Sequence, residues 1–203
     1  MIKSVIFDID GVLLDSFEAN FQFFSTLMKQ VGYTPPTRER YVTLFHRTLH
    51  DTVQILTDSD SELEIKRICD LIDAVEAPSP ILTKGVPEVI KKLSEKYSLG
   101  IVTSRIKAYA YEPPLNTLEP FFRATVAYED TENHKPHPEP LLLAAKQLNV
   151  LPEECIYVGD VKSDLDAAHA AGMKFILFSK DKIEGIDKIT FDFSKIPELM
   201  GMS

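Results

Sequence analysis

Basic residues are in short supply. Lys and Arg number 22 against 31 Asp and Glu, giving a formal charge of −9 with His neutral. A chain this acidic lacks the basic footprint of a nucleic-acid binder, and no run of like charges forms an interaction tail. A site for anions could still be built, but only by reversing the sign of the field locally, with a metal ion and a few cations. Cysteine is nearly absent. Cys69 and Cys155 lie in apolar contexts, spaced for neither zinc nor redox work, and read as small buried hydrophobes. Long apolar runs are missing too, so no bilayer-spanning segment is expected. The first strand-like run, Ser4-Val5-Ile6-Phe7, begins too early for a signal-peptide core. A cytoplasmic location is expected by default. Internal repeats and low-complexity tracts are absent.

What remains is an ordinary globular composition, 44% hydrophobic and 26% charged, in 203 residues. That length suits one domain, or one core with a modest insertion. Short apolar runs at Ser4–Phe7, Leu99–Val102, Ala124–Tyr128, Cys155–Val158 and Phe175–Phe178 are continuous in character. Continuity without alternation marks strands covered on both faces. Helical patterns at Val86–Tyr97, Leu141–Val150 and Leu165–Ala171 fall between them. Alternating strands and helices predict an α/β fold with a parallel sheet.

The rhythm breaks after the first strand. Roughly residues 16–82 separate it from the second, far more than an ordinary crossover. They read as helices over Phe17–Val31, Arg38–His50, Asp51–Thr57 and Ser61–Ala77, with prolines at the exit. The expected organisation is an α/β core of residues 1–15 and 83–203 and an all-helical insertion of residues 16–82. After Phe178, the alternating segment Ile189–Phe193 suggests an edge strand, and Ile196–Met200 a short closing helix.

Chemistry-bearing residues follow the predicted strands. The first runs into Asp8-Ile9-Asp10-Gly11-Val12, the second into Thr103-Ser104-Arg105, and the fourth into Gly159-Asp160 with Asp164 beyond. Lys135 stands in His134-Lys135-Pro136-His137-Pro138, just ahead of a helix. In a parallel sheet all these positions share one edge, where ligands bind. Carboxylates so close together after a buried strand need a compensating cation. Oxygen-only ligation without a histidine pair suits Mg²⁺. Such a set is equipped for phosphoryl transfer: one carboxylate as nucleophile, one as proton donor, and lysine, metal and hydroxyls on the phosphoryl oxygens. Solvated turns and helix caps are the plain alternatives for any one motif, but not for four in register.

These motifs resemble those of the haloacid dehalogenase-like superfamily over nearly the whole chain. Asp8-Ile9-Asp10-Gly11-Val12-Leu13-Leu14-Asp15-Ser16 is similar to its first motif, Thr103 to the second, Lys135 to the third, and Gly159-Asp160-Val161-Lys162-Ser163-Asp164 to the fourth. The nearest look is to the phosphoglycolate phosphatase and β-phosphoglucomutase-like group, which implies a Rossmann-like core with a helical cap after the first strand. The resemblance implies that Asp8 is nucleophile and metal ligand. Asp10 would be general acid/base, with its backbone carbonyl on the metal. Thr103 and Ser104 would bind phosphate, and Lys135 would neutralise it. Asp160 would bind Mg²⁺, and Asp164 would ligate through water or support Lys135. Asp10 favours phosphate chemistry, because the superfamily's dehalogenases lack it.

The expected partner is a small phosphorylated metabolite, with no nucleic acid and no membrane; a monomer or homodimer is expected. His46 and Arg47 are the candidates for reading the substrate from the insertion, and His134 and His137 read as ordinary loop histidines. Phosphomutase relatives carry a histidine five residues past the aspartate matching Asp15. Asn20 stands there, which favours a phosphatase. Lys29 is the sole Schiff-base candidate in the first insertion helix and carries little weight. Arg105 stands where many relatives have lysine.

Overall fold

Val5, Ile6 and Phe7 are wholly buried, and they set the centre of the sheet. The computed structural model describes residues 1–202. In chain order the elements are β1 (Ser4–Phe7), β2 (Leu14–Asp15), α1 (Phe17–Gln30), α2 (Arg38–Val42), α3 (Leu49–Thr57), α4 (Glu62–Cys69), β3 (Ile81–Leu82), α5 (Val86–Ser94), β4 (Ser98–Val102), β5 (Phe122–Val126), α6 (Glu139–Gln147), β6 (Cys155–Gly159), α7 (Lys162–Ala171), β7 (Lys174–Phe178), β8 (Ile189–Thr190) and α8 (Ile196–Leu199). Short 3₁₀ turns fill several connections.

The main sheet has six strands in the order β5-β4-β1-β6-β7-β8, all paired in parallel. Successive side chains of β1 face opposite ways, as the pleat requires. Val5 and Phe7 pack with Leu99, Ile101, Ile156 and Val158 against Val86, Ile90 and Leu93 of α5. Ile6 packs with Val102, Val126 and Tyr157 against Leu141 and Ala144 of α6 and Ala167 and Ala168 of α7. Both faces are therefore covered, which is why the strands are apolar throughout. The chain leaves β1 for β4 and β5 on one side, and returns to β6, β7 and β8 on the other. The carboxyl end of β1 is thus a topological switch point.

The chain divides into two compact units, residues 1–15 with 81–203, and residues 16–80. The first is the α/β core. It includes β2 and β3, a short antiparallel pair in which Leu14 faces Leu82. The segment predicted as wholly helical therefore ends in a strand at Ile81–Leu82.

The second unit is helical and has its own core. Tyr41, 1% exposed, is ringed by Phe17, Phe21, Phe24 and Phe45 at centroid distances of 5.6, 5.7, 5.6 and 6.3 Å. Leu27, Met28, Val53, Ile65 and Ile68 complete it. Thr37, Thr48 and Ser61 open α2, α3 and α4, each side chain accepting the backbone N–H three residues on. The helix expected over Arg38–His50 is split. Thr43 ends α2 with its hydroxyl donating to the Arg40 carbonyl, and Thr48 adopts extended backbone to cap α3. Competition by these side chains for backbone groups overrides the apolar pattern. The helix expected over Ser61–Ala77 stops at Cys69 and continues as a 3₁₀ turn at Ile72–Ala74. Both cysteines are free; Cys155 is buried and Cys69 half-buried. Among the described residues, no helix is long and apolar enough to cross a membrane.

Candidate active site

Asp8 continues β1 and keeps its ladder, its N–H donating to the Val158 carbonyl at 3.0 Å. Its side chain is held at the switch point between the ends of β4 and β6. Ile9 to Leu14 then form a tight turn. The Gly11 N–H donates to Leu14 O and the Leu14 N–H to Ile9 O, both at 2.9 Å. Gly11 has φ +79°, and a Cβ there would run into the Asp160 carboxylate. Glycine is needed for both reasons. Gly159 is needed for the second alone: a Cβ would lie 2.5 Å from Asp164 Oδ2.

Asp8, Asp160 and Asp164 each offer a carboxylate oxygen within 4.8 Å of the others. Lys135 closes the cluster from the loop before α6. Its Nζ lies 3.1 Å from Asp8 Oδ1 and donates to Asp164 Oδ1 at 2.8 Å and to Tyr157 Oη at 3.1 Å. Tyr157 in turn donates to Asp164 Oδ1 at 3.1 Å. Asp164 Oδ2 accepts the backbone N–H groups of Asp160 and Val161 at 3.1 and 3.4 Å, at the start of α7. Asp164 is 0% exposed, and both its oxygens are already committed to protein donors.

Burial dominates the electrostatics. It raises the Asp8 carboxyl to about 7, with Asp164 and Asp10 adding to the rise and Lys135 opposing it. Burial likewise pushes Asp160 well up, reinforced by Asp164 and Asp8. Lys135 goes the other way: burial would lower it, but Asp164 and Asp8 hold it firmly protonated. One ammonium cannot balance the three carboxylates. A hard divalent cation among these oxygens would, so the donor set fits Mg²⁺ in number and chemistry.

A second cation sits beside Asp10. Arg105 donates from Nε to Asp10 Oδ2 and from Nη2 to Asp10 Oδ1, both at 2.7 Å. Its Nη1 reaches the Tyr109 carbonyl at 3.3 Å and Glu112 Oε2 at 3.4 Å. Burial would lower the guanidinium, but Asp10 and then Glu112 raise it. Thr103 is buried at the end of β4, where its hydroxyl accepts the Arg105 N–H at 3.1 Å. Thr103, Ser104, Thr131, His134 and Lys135 line one small pocket. Thr131 Oγ1 is buried there with no hydrogen-bond partner among the described residues.

The motif residues expected at one sheet edge thus converge. His46 and Arg47 lie in the helical unit, exposed in the turn between α2 and α3, and not on a helix face. His134 stacks on Tyr128 at 4.1 Å, and His137 Nδ1 accepts the Glu139 N–H. Tyr157, Thr131 and the fork from Arg105 onto Asp10 were not anticipated. A tyrosine inside an apolar strand was the available signal, since its hydroxyl must find a partner.

The model of the family described as haloacid dehalogenase-like hydrolase matches residues 5–178, and the chain belongs to that family. It is 31% identical over 179 residues to the pyrophosphatase PpaX of Bacillus pumilus, covering 85% of this chain and 81% of that one. It is 29% identical over 199 residues to the phosphoglycolate phosphatase of Salmonella typhimurium, covering 84% and 79%. Among solved structures, a HAD-superfamily hydrolase of subfamily IA, variant 1, from Geobacter sulfurreducens superposes with a TM-score of 0.74. It is 27% identical and covers 98% of this chain and 97% of its own.

Proposed function

We infer that this chain is a Mg²⁺-dependent phosphatase acting on a small phosphorylated metabolite through a phosphorylated Asp8. The observation that carries this reading is the placement of Asp8 at the switch point, 3.1 Å from Lys135 and grouped with Asp160 and Asp164. The names of the PpaX and phosphoglycolate phosphatase relatives support phosphate as the reacting group.

In the first step an Asp8 oxygen attacks phosphorus, and the bond from phosphorus to the leaving oxygen breaks. The Asp10 carboxyl, one oxygen of which leaves its Arg105 bond to carry the proton, gives that proton to the leaving oxygen. In the second step the Asp10 carboxylate takes a proton from water, whose oxygen attacks phosphorus. The bond to Asp8 breaks and inorganic phosphate leaves. Lys135 neutralises the phosphoryl oxygens from beside Asp8, and the Thr103 and Ser104 hydroxyls orient them. Asp8, Asp160 and the Asp10 carbonyl would hold Mg²⁺, which supplies charge stabilisation at the phosphoryl group. Asp164 serves through its grip on Lys135, because its oxygens are already occupied. The helical unit acts as a cap in this reading, with His46 and Arg47 selecting the substrate. The protein works in the cytoplasm, as monomer or homodimer, without nucleic acid or membrane.

Phosphate release from a panel of phosphorylated metabolites, with and without Mg²⁺, tests this. Wild type should release phosphate only with the metal, and Asp8→Asn should lose about a thousandfold or more, since an amide is a poor nucleophile. Near-native release by Asp8→Asn would sink the covalent route.

A further inference from the structure

Arg105 is bound unevenly. Its Nε and Nη2 edge holds Asp10 through two bonds of 2.7 Å. Its Nη1 edge makes only long contacts, 3.3 Å to the Tyr109 carbonyl and 3.4 Å to Glu112. Those lengths lie at or past the limit for an N–H···O bond, and charge-assisted pairs are normally much shorter. Glu112 is also the most exposed member, its side chain 42% exposed against 13% for Arg105. One edge of the guanidinium is therefore fixed, and the other rests lightly on a carboxylate that solvent can reach.

We propose that Arg105 is a specificity-determining residue whose Nη1 edge recognises a second anionic group on the leaving side of the substrate, displacing Glu112. This rests on the phosphatase reading, in which Asp10 reaches the leaving oxygen. Asp10 lies one short hydrogen bond from Arg105. Two such bonds in series span about 5 Å, so the guanidinium lies close to groups one or two atoms beyond the leaving oxygen. A phosphate or carboxylate there meets a planar fork of matching geometry, which a lysine would not offer. Glu112 is a carboxylate already resting where that group would bind, and burial raises its pKa, so its place is not a comfortable one for a lasting charge. Lys135 is engaged by Asp8 and Asp164, whereas Arg105 is the cation bonded to Asp10, the residue that serves the leaving oxygen in that reading.

The test uses the full chain with Mg²⁺ and measures kcat and KM on pyrophosphate, phosphoglycolate and phenyl phosphate. The first carries a second phosphate, the second a carboxylate, and the third no further charge. Arg105→Met should lower the ratio of kcat/KM on the two doubly anionic compounds to that on phenyl phosphate by about tenfold or more, as loss of a charged hydrogen bond predicts. The part of the loss specific to the doubly anionic compounds should fall mainly in KM, while the part common to all three, from the released Asp10, should fall in kcat. Arg105→Lys should fall between, keeping charge without the fork. Glu112→Gln should shift the ratio the opposite way, lowering KM for the doubly anionic compounds about threefold as a competing charge is removed. A response confined to pyrophosphate or to phosphoglycolate supports the proposal and names the anion. Equal losses on all three compounds for Arg105→Met, or a Glu112→Gln effect that ignores the second anion, would overturn it. Should Arg105→Met fail to fold, the Glu112→Gln and Arg105→Lys ratios decide. No turnover of any compound by wild type would overturn the phosphatase reading, and this with it.

Discussion

Asp8 and Asp10 are two residues apart but sit on two different sides of the site. On the Lys135 side, Asp8, Asp160 and Asp164 crowd one ammonium, and burial drives the Asp8 carboxyl up to about 7. On the Arg105 side, Asp10 takes both short bonds of a guanidinium whose remaining nitrogen makes only long contacts, one of them to the half-exposed Glu112. The first side sets one cation against three carboxylates, and the second sets one cation against two, with both short bonds going to Asp10. The difference assigns tasks. In the proposed reading the Lys135 side takes in a cation and a phosphoryl group, and the Arg105 side holds the Asp10 carboxylate in place.

That contrast is broken most severely by removing the ammonium. Lys135→Met should leave Asp8 and Asp164 buried without their cation. Breaking a buried pair this way costs about 3–5 kcal/mol, so the melting temperature should drop and phosphate release should fall at least a hundredfold. A variant with near-native melting would mean that the acidic cluster does not depend on Lys135.

The next effect tests the imbalance itself. The Asp8 carboxyl is raised from 3.8 when free to about 7 in the fold. A raised acid stabilises the fold at low pH and loses that contribution as pH climbs through the folded value. With a chelator present, the melting temperature should therefore fall as pH rises from about 4 to about 7, the window that shift defines. Mg²⁺ should raise melting more at pH 8 than at pH 5, when the carboxylates are ionised. A Mg²⁺ effect that is equal at both values would contradict a charge-deficient cluster.

The smallest effect sharpens the picture. Tyr157→Phe removes a hydroxyl that bonds Lys135 and Asp164 but leaves the ring packed beside Phe175. The expected cost is about 1 kcal/mol, with a several-fold loss of kcat as Lys135 loosens. No change in either would mean that Asp164 alone positions the lysine.

Much of this was legible from strand ends. Asp8, Thr103 and Asp160 each follow an apolar run, and a parallel sheet has no choice but to bring such positions together. Lys135 is a loop residue, and its place was suggested only by the motif around it. Tyr157 was hidden because a strand interior reads as core, and its hydroxyl points into the polar cluster only because β6 ends beside it. The Arg105 fork was hidden because no local pattern links positions 10 and 105; the bond arises from neighbouring strands. The helical unit was read correctly as helical and wrongly in its segments. Thr43 and Thr48 use their hydroxyls to stop one helix and start the next within a stretch whose apolar spacing continues. Sequence periodicity reports burial, and here the side-chain caps decided where the helices broke.

The most direct measurement is chemical trapping of the enzyme during turnover. Wild type with Mg²⁺ and a reactive phosphate ester is quenched in acid, reduced with borohydride and mapped by mass spectrometry. A phosphorylated Asp8 should appear as homoserine at position 8, and it should be absent without substrate. Continued turnover with position 8 unmodified, or with the reduced residue elsewhere, would contradict Asp8 as the nucleophile.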